Sequence, residues 1–177
     1  NVKSIIIEET GEEIPCNVVG LTAGVSPNID FIKDSEIEIG RGVKVNRYLE
    51  TNIPDVYAIG DCAQMRTPKA GRMPIEAVWY TGRMMGEAVA YNVLSKPTGY
   101  NPGVWFNSAK FLDIEYQTYG NVKSVLAENE STFYWEKGNV AFRTVYDTKT
   151  KKLFGINNFG LRLRHEIVDN WLNENRT

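Results

Sequence analysis

Residues 51–61 read TNIPDVYAIGD, and this segment is the most informative one in the chain. The apolar run at residues 56–59 is typical of a strand buried in a parallel sheet. Gly60 and Asp61 close the run. Ligands of open α/β sheets bind at the carboxyl ends of strands, and a glycine there leaves room for close approach. The pattern therefore predicts a ligand-binding carboxylate at Asp61, although an isolated Gly-Asp pair more often only caps a turn.

The residues before this segment predict a hairpin and a change of sheet. Two β-rich runs at residues 4–8 (SIIIE) and 14–21 (IPCNVVGL) flank a Gly-containing turn at residues 10–13, which indicates a β-hairpin. Residues 22–28 (TAGVSPN) then interrupt the β pattern with turn-forming residues. We expect the chain to leave one sheet here and to form a short strand at residues 42–45.

The residues after Asp61 predict a loop followed by a helix. Residues 62–72 are polar and indicate a loop. Pro74 is suited to the first position of a helix, and Glu76 in its first turn would favour the helix dipole. The apolar positions Val78, Met85 and Val89 extend this predicted helix to about residue 94.

A cluster of proline and glycine at residues 96–103 marks a domain boundary, beyond which the pattern changes to antiparallel β. Strands are predicted at residues 111–119, 131–136, 139–146 and 153–157, arranged as a meander. In the third strand alternate residues share one face: Val140, Phe142, Thr144 and Tyr146. A closing helix at residues 164–173 carries an apolar stripe formed by Ile167, Val168, Trp171 and Leu172.

Composition excludes several classes of protein. The 177 residues are 42% hydrophobic and 11% aromatic, which argues against disorder, and the net charge of −2 lacks the basic excess of a nucleic-acid-binding protein. The longest uncharged stretch, residues 14–29, is too short and too polar for a membrane helix. Cys16 and Cys62 form no metal-binding or C-x-x-C spacing, which favours a reducing cytoplasm. The absence of an initial Met and of a signal peptide leads us to expect an excised piece.

The segment at residues 51–61, together with Gly82 and Arg83 in the following helix, resembles the second FAD-binding motif of the pyridine nucleotide-disulphide oxidoreductase family. Residues 18–28 (VVGLTAGVSPN) are similar to that family's exit from the NAD(P)H domain into the FAD domain. The two segments occur in the family's order. The resemblance implies a fold of the α/β plus α+β class, in which a partial FAD/NAD(P)-binding domain precedes a C-terminal antiparallel sheet with a terminal helix.

The resemblance also implies which residues contact the cofactor. In the family, the residue matching Asp61 hydrogen-bonds the ribityl chain of FAD, and the helix after it directs its amino end at the flavin pyrimidine ring. A helix amino terminus stabilises the negative charge of reduced flavin, which is a physical reason for that arrangement. The residues expected to contact the cofactor are Gly24, Gly60, Asp61, Pro74, Glu76 and Ala77. No catalytic residue and no metal ligand is assigned.

The C-terminal region carries a second resemblance. Residues 105–111 (WFNSAKF), Gln117 and Gly120 are similar to the start of the last domain in the ferredoxin and rubredoxin reductase-like and nitrite reductase-like branches. Those branches often place an aromatic residue at Asn107, so aromatic cover of the flavin is in doubt. His165 followed by Glu166 suggests the acid/base pair of disulphide reductases, but the His-Pro context is missing and a structural role is favoured. Cys62 is expected to be a spectator thiol.

The chain contains no G-x-G-x-x-G motif, so both pyrophosphate sites would lie elsewhere in a larger enzyme. We expect residues 1–28 to end the NAD(P)H domain, residues 29–99 to be the second part of the FAD domain, and residues 100–177 to be an interface domain. The first hypothesis is an FAD-dependent oxidoreductase that passes electrons from NAD(P)H to an unspecified acceptor, in a possible homodimer. The alternatives are a dimerisation or partner-docking module, and an unrelated α/β domain.

Overall fold

The computed structural model describes residues 2–174, so residue 1 and residues 175–177, at the outer ends of the predicted domains, lie outside the described residues. The predicted hairpin is present but short. Strand β1 (Ser4–Ile6) pairs antiparallel with β2 (Glu13–Pro15). Residues 16–28 form no strand, so the second predicted run was too long. Its apolar side chains, such as Leu21, lie exposed, with no neighbouring strand in the described part of the chain.

The parallel strand pair forms from a different segment than the one predicted. Strand β3 (Val43–Val45) pairs in parallel with β4 (Ala63–Met65), which lies in the predicted polar loop. Residues 56–59 form no strand, and their one ladder contact is an isolated bridge between Tyr57 and Glu50. The prediction of a buried strand here was wrong. An apolar run becomes a strand only where another strand offers hydrogen bonds, and the main chain of residues 56–58 instead pairs with Leu49 and Thr51 in the segment just before it.

Helix α1 (Trp79–Val93) begins five residues after the predicted start at Pro74. The main-chain N–H of Met65 donates to the carbonyl of Pro74 at 2.8 Å, so the segment before the helix lies extended beside β4. Because Glu76 belongs to that extended segment, the first turn of α1 contains no acidic residue. The placement of Pro74 and Glu76 within the helix was therefore wrong, and the remainder of the helix is confirmed.

The C-terminal region is a five-stranded antiparallel sheet with strand order β5-β6-β9-β8-β7. Its strands are β5 (Phe106–Phe111), β6 (Ile114–Gly120), β7 (Glu130–Lys137), β8 (Val140–Asp147) and β9 (Leu153–Phe159). The predicted strand at residues 111–119 ends a hairpin that the sequence analysis missed, since β5 precedes it. The sheet is not a simple meander, because β9 folds back between β6 and β8.

Helix α2 (His165–Asn173) packs on this sheet as predicted. Val168 is fully buried with Tyr119 and Ile156, and Trp171 and Leu172 pack against this cluster. Ile167 does not belong to the apolar stripe, because it is 41% exposed. Phe142 and Thr144 lie on the same face of the sheet as Asn158 and Ile156, their ladder partners.

A second, separate core lies under α1. It contains Val45, Leu49, Ala63, Met85 and Ala88. The molecule therefore has two cores, one beneath each helix, and the turn at Gly60 and Asp61 lies against the core under α1. No helix within residues 2–174 has the length and apolar character needed to cross a membrane.

Candidate functional site

Asp61 lines a cleft of about 510 Å³. The walls of the cleft come from three segments, around residues 25–28, 61–64 and 73–77, with Arg41 at one side. The first segment follows the hairpin, the second is the 3₁₀ turn that leads into β4, and the third is the extended run before α1. The fold therefore brings the two sequence motifs and the segment leading to α1 together around one opening.

The carboxylate of Asp61 is available to a ligand. Residues Gly60–Cys62 form one 3₁₀ turn, and Asp61 is exposed at its centre. Among residues 2–174, no side chain or main-chain group hydrogen-bonds this carboxylate or forms an ion pair with it. An ionised carboxylate can accept several hydrogen bonds, so this group is a suitable acceptor for hydroxyl donors.

The backbone conformation at position 60 favours glycine. Its φ of +74° lies in the left-handed region, which side chains other than glycine adopt at a cost. A Cβ at this position would meet no protein atom within 4 Å, so protein crowding is not the reason for the glycine. The Gly60 N–H points to the Met85 sulfur at 3.4 Å, and a Cβ on Gly82 would lie 3.4 Å from the Gly60 Cα. These contacts hold the turn against α1.

Pro74 and Ala77 line the same cleft, whereas Glu76 does not. The Glu76 carboxylate forms a two-pronged ion pair with Arg72, and both side chains are more than nine-tenths buried. Arg72 also donates to the carbonyls of Pro102 and Gly103, at 2.9 Å and 3.1 Å. This ion pair ties the extended segment to the linker before β5, so the Glu76 side chain has a structural role.

Gly24 lies beside the cleft and does not line it. Its φ is +89°, and it immediately precedes Val25, which is one of the lining residues.

The amino end of α1 has no side-chain cap, because Val78 occupies the N-cap position. Its first N–H groups remain available to a negatively charged group.

The sequence analysis missed Arg41, which lines the cleft. The only sign of it in the sequence was its position between Gly40 and Gly42.

Of the other residues considered in the sequence, His165 lies away from the Asp61 cleft, whereas Cys62 lies in it. His165 contacts the rings of Phe106 and Tyr119, with centroid distances of 4.8 Å and 5.8 Å. It lines a different cavity, of about 530 Å³, between α1 and α2. Cys62 lines the Asp61 cleft, and both cysteines are free thiols. Within residues 2–174, no group of His, Cys, Asp and Glu side chains could hold a metal ion.

Residues 1–86 match the family model described as pyridine nucleotide-disulphide oxidoreductase. NADH-rubredoxin oxidoreductase of Clostridium acetobutylicum is 37% identical over 94 residues, which cover 53% of this chain and 23% of that protein. A ferredoxin reductase subunit of 5,5'-dehydrodivanillate O-demethylase from Sphingobium is 30% identical over 77% of this chain and 32% of its own length. The chain thus spans less than a third of these relatives.

The structure of a NAD-dependent persulfide reductase from A. fulgidus superposes on 98% of this chain and 35% of that protein, with a TM-score of 0.78. The sequence identity is 17%, so this similarity concerns the fold. It covers both the region around the Asp61 cleft and the five-stranded sheet with its terminal helix. The mixed α/β and antiparallel architecture expected from the sequence is confirmed.

Proposed function

Because residues 1–86 match the model of the pyridine nucleotide-disulphide oxidoreductase family, we propose that the chain is part of an FAD-dependent NAD(P)H oxidoreductase of that family. The observation that carries this proposal is the unpartnered Asp61 carboxylate in a cleft that also receives residues 25–28 and the segment leading to α1. The catalysed reaction would be electron transfer from NAD(P)H through the flavin to an acceptor. Relatives named for rubredoxin and ferredoxin support a protein electron carrier as that acceptor.

The described residues suit one end of FAD. Asp61 would accept a hydrogen bond from a ribityl hydroxyl, and the uncapped N–H groups of α1 would favour negative charge on the flavin ring. Gly60 and Gly24 would shape the main chain beside the cofactor, while Pro74 and Ala77 would form the wall of its site. FAD would supply the redox chemistry, by accepting a hydride from nicotinamide and passing the electrons on.

We further propose that these residues form the carboxyl part of a longer enzyme. The chain spans less than a third of the relatives above and contains no G-x-G-x-x-G motif for a pyrophosphate. In this proposal residues 1–28 end the NAD(P)H domain, residues 29–99 complete the FAD domain and residues 100–177 form the interface domain. The free thiols are consistent with a cytoplasmic enzyme.

The test is a titration of the deflavinated longer enzyme with FAD, followed by the change in flavin fluorescence. Asp61→Ala should weaken FAD binding by roughly tenfold to a hundredfold, because a charge-assisted hydrogen bond contributes about 1.5–3 kcal/mol. Asp61→Asn, which keeps an acceptor, should do less harm. Asp113→Ala is the matched control, because it removes an exposed aspartate from the turn between β5 and β6. Equal FAD affinities for wild type and Asp61→Ala would rule out the flavin site.

A partner-docking or dimerisation module is the second candidate function. Strand β7 is an edge of the sheet, and it exposes three consecutive aromatic residues, Phe133, Tyr134 and Trp135. Exposed aromatic side chains next to unpaired main-chain groups are typical of interaction surfaces. The visible absorbance of the purified longer protein distinguishes the two functions, since a docking module without catalysis would lack the flavin spectrum.

A further inference from the structure

A second cavity, of about 330 Å³, lies next to the core under α1. It opens between the loop after β4 and the linker at residues 99–102, and it shares only Met73 and Pro74 with the Asp61 cleft. Its size is that of a small-molecule site. The flavin proposal does not use this cavity.

One wall of the cavity is apolar and adaptable. Met65, Met73 and Met85 contribute to it, together with Pro68 and Pro74. Met85 is 2% exposed and belongs to the core, so the wall rests on rigid structure. Methionine side chains adjust to irregular ligand shapes, and this wall would therefore accept a short alkyl or aryl group.

Two cations without carboxylate partners line the same cavity. Within residues 2–174, neither Arg47 nor Lys69 forms an ion pair, and the Lys69 ammonium has only a 3.4 Å contact with the Asn101 side-chain oxygen. The third cation, Arg72, is neutralised by Glu76. The cavity therefore has a net positive charge that the protein itself does not compensate.

The Arg47 side chain is held in place although it is exposed. Its guanidinium carbon lies 4.8 Å from the centre of the Tyr48 ring. On the other side, a Cβ on Gly99 would come within 3.1 Å of the guanidinium nitrogens. The absence of a side chain at Gly99 thus makes room for this cation, which is positioned before any ligand arrives.

Tyr100 lines the cavity, and its hydroxyl oxygen is buried. This oxygen makes no hydrogen bond of ordinary geometry within the described residues; its polar neighbour is the Thr81 hydroxyl, which donates to Glu76. Burial raises the pKa of Tyr100, and the Glu76 charge adds to this effect, while the Arg72 charge and the Thr81 hydroxyl oppose it, so the phenol remains a donor at neutral pH. A buried donor without an acceptor is costly, and a ligand oxygen would remove that cost.

We propose that this cavity binds a small organic anion, with an apolar body against the methionines and a carboxylate or phosphate between Arg47, Lys69 and the Tyr100 hydroxyl. The apolar wall, the uncompensated cations and the buried phenol each support one part of this description. Arginine recognises carboxylate and phosphate groups through paired N–H donors. The site adjoins the flavin cleft at Met73 and Pro74 but has its own polar groups, and it would regulate the enzyme or hold a second small molecule.

The test uses the 177-residue protein without flavin and isothermal titration calorimetry. Hexanoate and hexyl phosphate are the two probes, and their relative affinities distinguish a carboxylate site from a phosphate site. Acetate and 1-hexanol are the controls for charge without a body and for a body without charge. We expect saturable binding of at least one hexyl anion, at least ~10-fold tighter than either control. Equal binding of hexanol and both anions, or no saturable binding at all, would overturn the proposal.

Binding of the preferred anion to substituted proteins then identifies the residues that hold it. Arg47→Gln should weaken binding of the preferred anion by about fivefold or more, and Lys69→Gln by about twofold to fivefold. Tyr100→Phe should also weaken binding while leaving the thermal midpoint unchanged or higher, because it removes an unsatisfied hydroxyl. Lys110→Gln removes the same charge from β5 and should bind as wild type. Wild-type affinity in both Lys69→Gln and Tyr100→Phe, which leave the core intact, would refute the site. Since no flavin is present, this result is independent of the flavin proposal.

Discussion

The two regions of the molecule differ in the length of their strands and in how many neighbouring strands each strand pairs with. The C-terminal sheet has five strands of six to eight residues, each hydrogen-bonded to a neighbour. The region before it has two pairs of three-residue strands, and it leaves Leu21, Val25 and Phe31 between 79% and 92% exposed. Apolar segments therefore form a sheet where partner strands are present among the described residues, and they form exposed loops where no partner strand is present there.

The largest expected effect comes from emptying each core in turn. Ile156→Ala and Leu49→Ala both truncate a fully buried side chain, at a cost of about 3 kcal/mol each. If the two cores are independent, each substitution lowers only one of two calorimetric transitions, by roughly 10–20 °C. Differential scanning calorimetry measures this directly. A single transition that both substitutions lower equally would show that the cores unfold as one unit.

Helix α2 provides a smaller test of the C-terminal core. Trp171 is partly buried against this core, so Trp171→Ala should lower the free energy of unfolding by about 2 kcal/mol, less than for a fully buried indole. Ile167→Ala is the matched control on the same helix, because Ile167 is exposed, and it should cost less than about 0.5 kcal/mol. Urea unfolding compares the two. Similar losses for both substitutions would contradict the observed orientation of α2.

The smallest effect is a dependence on alkaline pH that Tyr119 contributes in the C-terminal core. Burial raises the pKa of Tyr119 to about 12, with smaller contributions from Tyr80 and Glu166. The unfolded phenol ionises near pH 10 while the folded one stays neutral, so stability is full below pH 10 and falls between pH 10 and 12. At pH 11 the loss should be about 1.4 kcal/mol.

Urea unfolding at pH 9 and pH 11 measures this loss. Tyr119→Phe should reduce it, because phenylalanine does not ionise, although the variant also loses the hydroxyl contact with the Leu163 carbonyl. An identical decrease in wild type and Tyr119→Phe would assign the pH dependence to another group.

Local patterns predicted the C-terminal region well because its contacts are mostly between neighbours in sequence. The β7-β8 hairpin turns at Gly138, whose φ of +58° suits a tight turn, and the helix stripe around Val168 identified the buried face of α2. The insertion of β9 between β6 and β8 could not be predicted, because alternation shows which face a residue occupies and not which strand lies beside it.

At the candidate site, too, some features could be predicted from the sequence and others could not. The Gly60-Asp61 pair, the turn-forming residues 22–28 and the nearby helix were recognisable from sequence. The sequence alone could not show that Glu76 pairs with Arg72, that Arg41 faces the cleft, or that residues 63–65 rather than 56–59 pair with β3. Those outcomes depend on side chains and strands that are distant in the chain.

The resemblance to a family of flavoproteins, the hairpin, the helices and the carboxylate at Asp61 were visible in the sequence, because each depends on residue types at short spacing. The tertiary structure decided the strand partners, the start of α1 at Trp79 and the side chains that share each cavity. The physical reason is that a main-chain hydrogen bond or an ion pair needs a partner of matching geometry. Which partner is available depends on how the whole chain packs.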